Sequence, residues 1–97
     1  SLYFNCKKEM EKLLMNHNRK VEPFTLWRHF KGGKVIVLFI AKHSETGEDL
    51  VIYRCINKKG QESNEFYARP LNMFLSEVDH EKYPEITQKY RLEKIED

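Results

Sequence analysis

The chain is short of nearly every feature that announces a chemistry. It has two cysteines in 97 residues, Cys6 and Cys55, which form no CxxC and stand at no metal-ligand spacing from a histidine. Stapled small domains usually carry four or more cysteines, so these two read as reduced thiols of a cytoplasmic protein. No apolar run approaches the roughly 18–20 residues that cross a bilayer; the longest, Val35 to Ala41, has seven. No charged-then-apolar leader opens the chain, and because its first residue is Ser1, a processed or truncated product with further residues upstream is expected. Strong charge of one sign is missing too: 17 Lys+Arg against 15 Asp+Glu leave +2, which implies no strong pull toward DNA, RNA or anionic lipid. Neither HExxH, HxH, GxSxG, a P-loop nor a dinucleotide GxGxxG occurs.

What is present describes one small domain. Forty per cent of the residues are hydrophobic, too many for a disordered chain, and the length suits a single modest core. Residues 1–42 hold nine basic and three acidic side chains, whereas residues 43–97 hold eight and twelve. The front half is therefore basic, through a solvated lysine-rich helix face or a surface for phosphates.

Cys6, Met10, Leu13 and Leu14 repeat at helical spacing behind Asn5, a suitable N-cap, which predicts a helix from Asn5 to Asn18. Arg19 to Thr25 reads as a linker. The period then changes. Trp27 to Phe30 is a short extended stretch, Gly32-Gly33 a turn, and Lys34 to His43 a strand so apolar that both faces are expected to be covered, in the middle of a sheet. Ser44 to Glu48 is a loop, Asp49 to Ile56 a second long strand, and Phe66 to Arg69 a short one. Pro70 suits a first helical position, with Leu71, Phe74, Leu75 and Val78 at helix spacing, and an extended or irregular segment returns beyond Pro84. The expected class is α+β: a small, strongly bent antiparallel sheet or partly open β-barrel of about five strands with a short plug helix. Residues 1–22 form an accessory helix and linker, and residues 23–97 the domain. With a two-residue turn at Thr46-Gly47, Ile40 faces Tyr53, Leu38 faces Cys55 and Phe39 faces Arg54. Arg54 and His43 then share a face with Val37, Phe39 and Ala41, and Cys55 is a buried, inert thiol. An arginine on such a face requires a carboxylate, a carbonyl or a ligand.

Four blocks carry a resemblance: Trp27-Arg28-His29-Phe30-Lys31-Gly32, Ala41-Lys42-His43-Ser44-Glu45-Thr46, Val51-Ile52-Tyr53-Arg54 and Tyr67-Ala68-Arg69-Pro70-Leu71-Asn72-Met73-Phe74. In this order they resemble the bacterial family called domain of unknown function 1653, over about residues 24–95. Trp27 replaces an expected tyrosine, and Glu85 follows Pro84 where many members have arginine. The resemblance implies a fold and a set of polar signature residues, and no established activity.

Those polar residues leave two readings open. Arg28, His29, His43, Glu45, Tyr53, Arg54, Tyr67 and Arg69, at strand ends or loop edges, could converge on one rim. Arginines, histidines and tyrosines together suit an anionic planar ligand, such as a nucleotide or an exposed base with its phosphate. Alternatively Glu45 pairs with Arg28 or Arg69, while Ser44 and Thr46 cap a tight turn. The leading functional expectation is a non-catalytic binding module for a nucleotide-like small molecule or short nucleic acid. The alternative is a protein-interaction or regulatory adaptor that self-associates or docks a partner through its N-terminal helix. A small hydrolase or transferase using His43 with Glu45 ranks last, because so small a domain rarely encloses a dry site. No catalytic residue, cofactor, metal or membrane partner is expected.

Overall fold

The computed structural model describes residues 19–96; the expected helix from Asn5 to Asn18 lies outside the described residues. Five strands and one helical turn follow each other: β1 (Leu26–His29), β2 (Lys34–Lys42), β3 (Asp49–Ile56), β4 (Tyr67–Pro70), α1 (Leu71–Phe74) and β5 (Leu92–Lys94). They build one antiparallel sheet in the order β4-β3-β2-β1-β5. The sheet is open, because β4 and β5 are its edges and do not pair. The architecture is therefore mostly β, and the α contribution is a single turn. No helix among the described residues is long and apolar enough to cross a membrane.

Each strand forms where β-branched and aromatic residues cluster between turn signals. The β1–β2 turn closes through the Gly32 amide donating to the His29 carbonyl at 2.8 Å, with Gly32 at φ 100°, a conformation that glycine adopts without steric cost. Pro70, expected inside the helix, is instead the last residue of β4 and the N-cap of α1.

The β2–β3 register differs from the sequence expectation. The connection runs from His43 to Glu48, so Ile40 faces Val51 and Phe39 faces Ile52; the pairing then shifts between Val37 and Phe39, after which Val37 faces Tyr53 and Ile36 faces Arg54. One extra residue in β2, a bulge at Leu38, accounts for the shift. It turns Val35 and Val37 onto the face that carries Val51 and Tyr53. All four are buried, joined by Trp27, Leu92 and Phe74. The other face stays open, with Phe39 52% and Phe66 65% exposed. The strand is central, as its composition suggests, yet among the described residues it is covered on one side only, by a short helix and one return segment.

Two residues of the stretch read as a linker join this body. Val21 is buried in the core. The Arg19 guanidinium stacks on the Tyr90 ring at 3.8 Å and donates to the carbonyls of Leu92 (3.1 Å) and Leu75 (3.0 Å). It thus ties β5 to the end of α1 by charge-assisted bonds that a lysine's compact ammonium cannot reproduce together. Arg19→Ala is expected to cost about 2 kcal/mol of folding stability, read as a lower urea midpoint at unchanged slope, and Arg19→Lys should recover only part of it.

Candidate functional site

Alternation along the strands assigns the signature residues to faces. In β1, Trp27 and His29 point to the core side and Arg28 to the open side. In β3, Tyr53 and Cys55 are on the core side and Arg54 on the open side. In β4, Tyr67 faces Tyr53 and Arg69 faces Val51, so both belong to the core side. The helical turn α1 follows the Pro70 end of β4, which pairs with Leu50, and seats Phe74 over Trp27 and Tyr53 at ring separations of 5.1 and 6.1 Å. It covers the core face there. Towards the His29 and Cys55 end no described element covers the sheet, and a cavity of about 310 Å³ opens.

His29, Lys31, Tyr53, Cys55 and Arg69 line this cavity together with Gly33 and Val35, while Lys34 and Ile56, a pair that alternates to the open side, border it at the strand ends; none of its described lining residues is acidic. Among the described residues, Lys31, Lys34 and Arg69 form no salt bridge. The Tyr67 ring stacks on Tyr53 at 5.8 Å, and its hydroxyl donates to Glu65 at 3.0 Å. That bond to a carboxylate raises the Tyr67 pKa. The His29 ring stacks on Phe30 at 4.7 Å, and Phe30 meets Tyr83 edge-on at 5.0 Å. Lys31 lies 5.3 Å from the Tyr83 ring and lowers that tyrosine's pKa.

His29 registers the local charge. Its Nδ1 accepts the Lys31 amide at 3.1 Å, which leaves the proton of the neutral ring on Nε2. Its pKa lies below 6.5, first through burial and then through the nearby charges of Arg69, Lys31 and Arg91. The charges that lower it are all positive, and two of them, Arg69 and Lys31, also line the cavity. Because the folded pKa is below the unfolded value, the unfolded chain binds more protons in that interval. The contribution of His29 to stability is complete above pH 6.5 and falls as pH drops through the folded pKa. An anion in the cavity should reverse the shift. NMR titration of the His29 ring protons is expected to show its pKa moving up on saturation with a phosphate-bearing ligand, and no movement would mean that no anion sits there.

The eight residues singled out from the sequence therefore separate. His29, Tyr53 and Arg69 meet in the cavity, and Tyr67 lies against Tyr53 beside it. Arg54 does not take part: on the open face its Nε donates to the Ser63 carbonyl at 2.6 Å, its guanidinium lies 3.8 Å from Glu62, and Phe66 packs at 5.3 Å. Arg28 is exposed on that same open face, with its carbonyl accepting from Gln88. His43 and Glu45 belong to the opposite end of the sheet, since the nine residues of β2 from Lys34 to Lys42 span eight steps, roughly 26 Å. His43 caps its own loop there, Nδ1 accepting the amides of Glu45 and Thr46 at 3.1 and 3.3 Å. The bulge and the six-residue loop also separate Arg54 from His43, which were expected two side-chain steps apart. Glu45 forms no salt bridge with Arg28 or Arg69. Cys55, expected to be buried, is an exposed free thiol, because the core is built from the Val51 end of β3.

Lys34 and Cys55 were not anticipated as site residues. The legible signal was the pair of lysines bracketing Gly32-Gly33; what concealed it was the register, which decides what lies opposite the turn. A second hollow, lined by Phe24, Leu26, Lys94 and Glu96 among others, mixes both charge signs and gathers no matched set of groups. No cluster of three or more metal-ligating side chains occurs among the described residues.

No curated protein and no solved structure matches the chain. A family model does. The matched span, residues 25–94, begins one residue before β1, ends with β5 and contains every residue that lines the cavity; its description is "Protein of unknown function (DUF1653)", and the chain belongs to that family.

Proposed function

We propose that this domain is a binding module for a small anionic ligand with a planar group, of which a mononucleotide is the simplest example, and that the cavity over β1 to β4 is its site. One observation carries the reading: Lys31, Lys34 and Arg69 border one hollow, and among the described residues no carboxylate lines it or pairs with them. Unpaired cations that share an opening favour a negatively charged guest and give it directional, charge-assisted hydrogen bonds. Aromatic surface is at hand beside them in His29 and in the half-exposed Tyr67, which is backed by the buried Tyr53, and such rings hold a base by stacking. The volume suits a ligand of nucleotide size at the lower end of ordinary small-molecule sites.

Cys55 supplies the test, since its exposed thiol borders the same hollow. In a Cys6→Ser background, alkylation of Cys55 by a maleimide should slow several-fold under saturating adenosine monophosphate and stay unchanged under adenosine, which lacks the phosphate. Equal alkylation rates with and without millimolar adenosine monophosphate would sink the reading.

A further inference from the structure

The cavity does not end at the turn. A larger hollow of about 790 Å³ adjoins it, and the two share Lys31, Gly33, Lys34 and Ile56. This larger hollow runs between the β1–β2 turn and the loop after β3, where Asn57, Lys58 and Gly60 form its far wall, and again no described acidic residue lines it. The loop wall is locally ordered: the Asn57 Oδ1 accepts the amides of Lys59 and Gln61, both at 2.9 Å, and the Gly60 amide donates to the Asn57 carbonyl. Lys58 forms no salt bridge among the described residues. Arg69 borders only the first hollow, Lys58 only the second, and Lys31 and Lys34 border both, so the cations are distributed over the length of the two hollows.

We infer that the two hollows together form a groove for a short single-stranded nucleic acid, with one nucleotide in the first cavity and the next phosphates of the chain running past Lys34 to Lys58. This deepens the reading of the cavity as an anion site and rests on it. The spacing of charge separates a phosphodiester chain from a free nucleoside triphosphate. A triphosphate concentrates its charge in a few ångströms and brings Mg²⁺, which is usually held through one or two carboxylates as well as the phosphates. Neither hollow offers a carboxylate. A phosphodiester chain carries one charge per residue, needs no metal, and matches cations set out in a row. The narrow track also suits the modest net charge of +2, since few phosphates are engaged.

The experiment compares adenosine monophosphate, adenosine triphosphate with Mg²⁺, and the tetranucleotides of adenylate in RNA and DNA form, titrated calorimetrically into the full chain at several salt concentrations. Either tetranucleotide should bind about tenfold more tightly than the monophosphate at low salt, with a log K against log salt slope steeper by about 1.4 for two further phosphates. Lys58→Gln should lower tetranucleotide affinity about fivefold and reduce that slope by about 0.7, while the monophosphate changes less than twofold and the melting temperature stays put. A tetranucleotide that binds no better than the monophosphate overturns the groove and leaves the cavity reading standing. Triphosphate that matches the tetranucleotide and shares its dependence on Lys58 also overturns it. If neither monophosphate nor tetranucleotide binds, groove and cavity fall together.

Discussion

Trp27→Ala is expected to be the most destabilising single substitution in the domain. The indole is fully buried, meets Phe74 edge-on at 5.1 Å, lies under the Arg19 guanidinium at 5.7 Å and donates from Nε1 to the Thr25 hydroxyl at 2.9 Å. Its removal leaves a cavity that a sheet and a single helical turn cannot close by relaxing. Losses of about 3–5 kcal/mol attend such truncations, against a total of about 5–15 kcal/mol for a domain of ordinary stability. A fall in melting temperature on the order of 20 °C follows. The control is Phe39→Ala, which removes an aromatic ring of similar character from the open face. With Phe39 52% exposed, its loss should stay within about 0.5 kcal/mol. Paired urea melts measure both, and comparable losses in the two would show that the second face is covered after all.

Arg69→Ala is expected to have the largest effect on binding. This side chain has no carboxylate partner among the described residues and borders the cavity with Lys31 and Lys34. A hydrogen bond to a charged partner contributes about 1.5–3 kcal/mol, so affinity for adenosine monophosphate should drop about tenfold to a hundredfold. Arg69→Lys should restore part of it, because a point charge replaces a planar fork. Arg54→Ala should leave binding within twofold, since Arg54 lies on the opposite face beside Glu62 and Ser63. An independent readout exists without ligand: Arg69 is the foremost of the charges that lower the His29 pKa, so Arg69→Ala should raise it. Binding that survives Arg69→Ala but not Arg54→Ala would move the site to the other face of the sheet.

Much of this was legible in the sequence because it depends on neighbours along the chain. The run from Val35 to Ala41 dictates a strand, Gly32-Gly33 a turn, and the repeat after Pro70 a helix, although the helix ends at Phe74 and Val78, at the same spacing, instead bonds through its amide to the Lys89 carbonyl. The four signature blocks were likewise sufficient to place the chain in its family. Register was not legible. One surplus residue at Leu38 exchanges the faces of half a strand, and nothing in Val35-Ile36-Val37-Leu38-Phe39 marks where it falls, since every residue there is apolar and fits either side. The same uncertainty carried into the candidate site. Polar residues at strand ends looked able to meet on one rim, but an antiparallel ladder sends His43 and Glu45 to one end of the sheet and His29 to the other.

The order of residues by itself determined that this chain forms a small antiparallel sheet with a short helix, because strand and turn preferences are local properties of the backbone and its nearest side chains. Only the tertiary structure decided which cations face one another without an acidic partner. That depends on a bulge, on the length of a loop and on the reach of one helical turn, and these are settled by how the core closes.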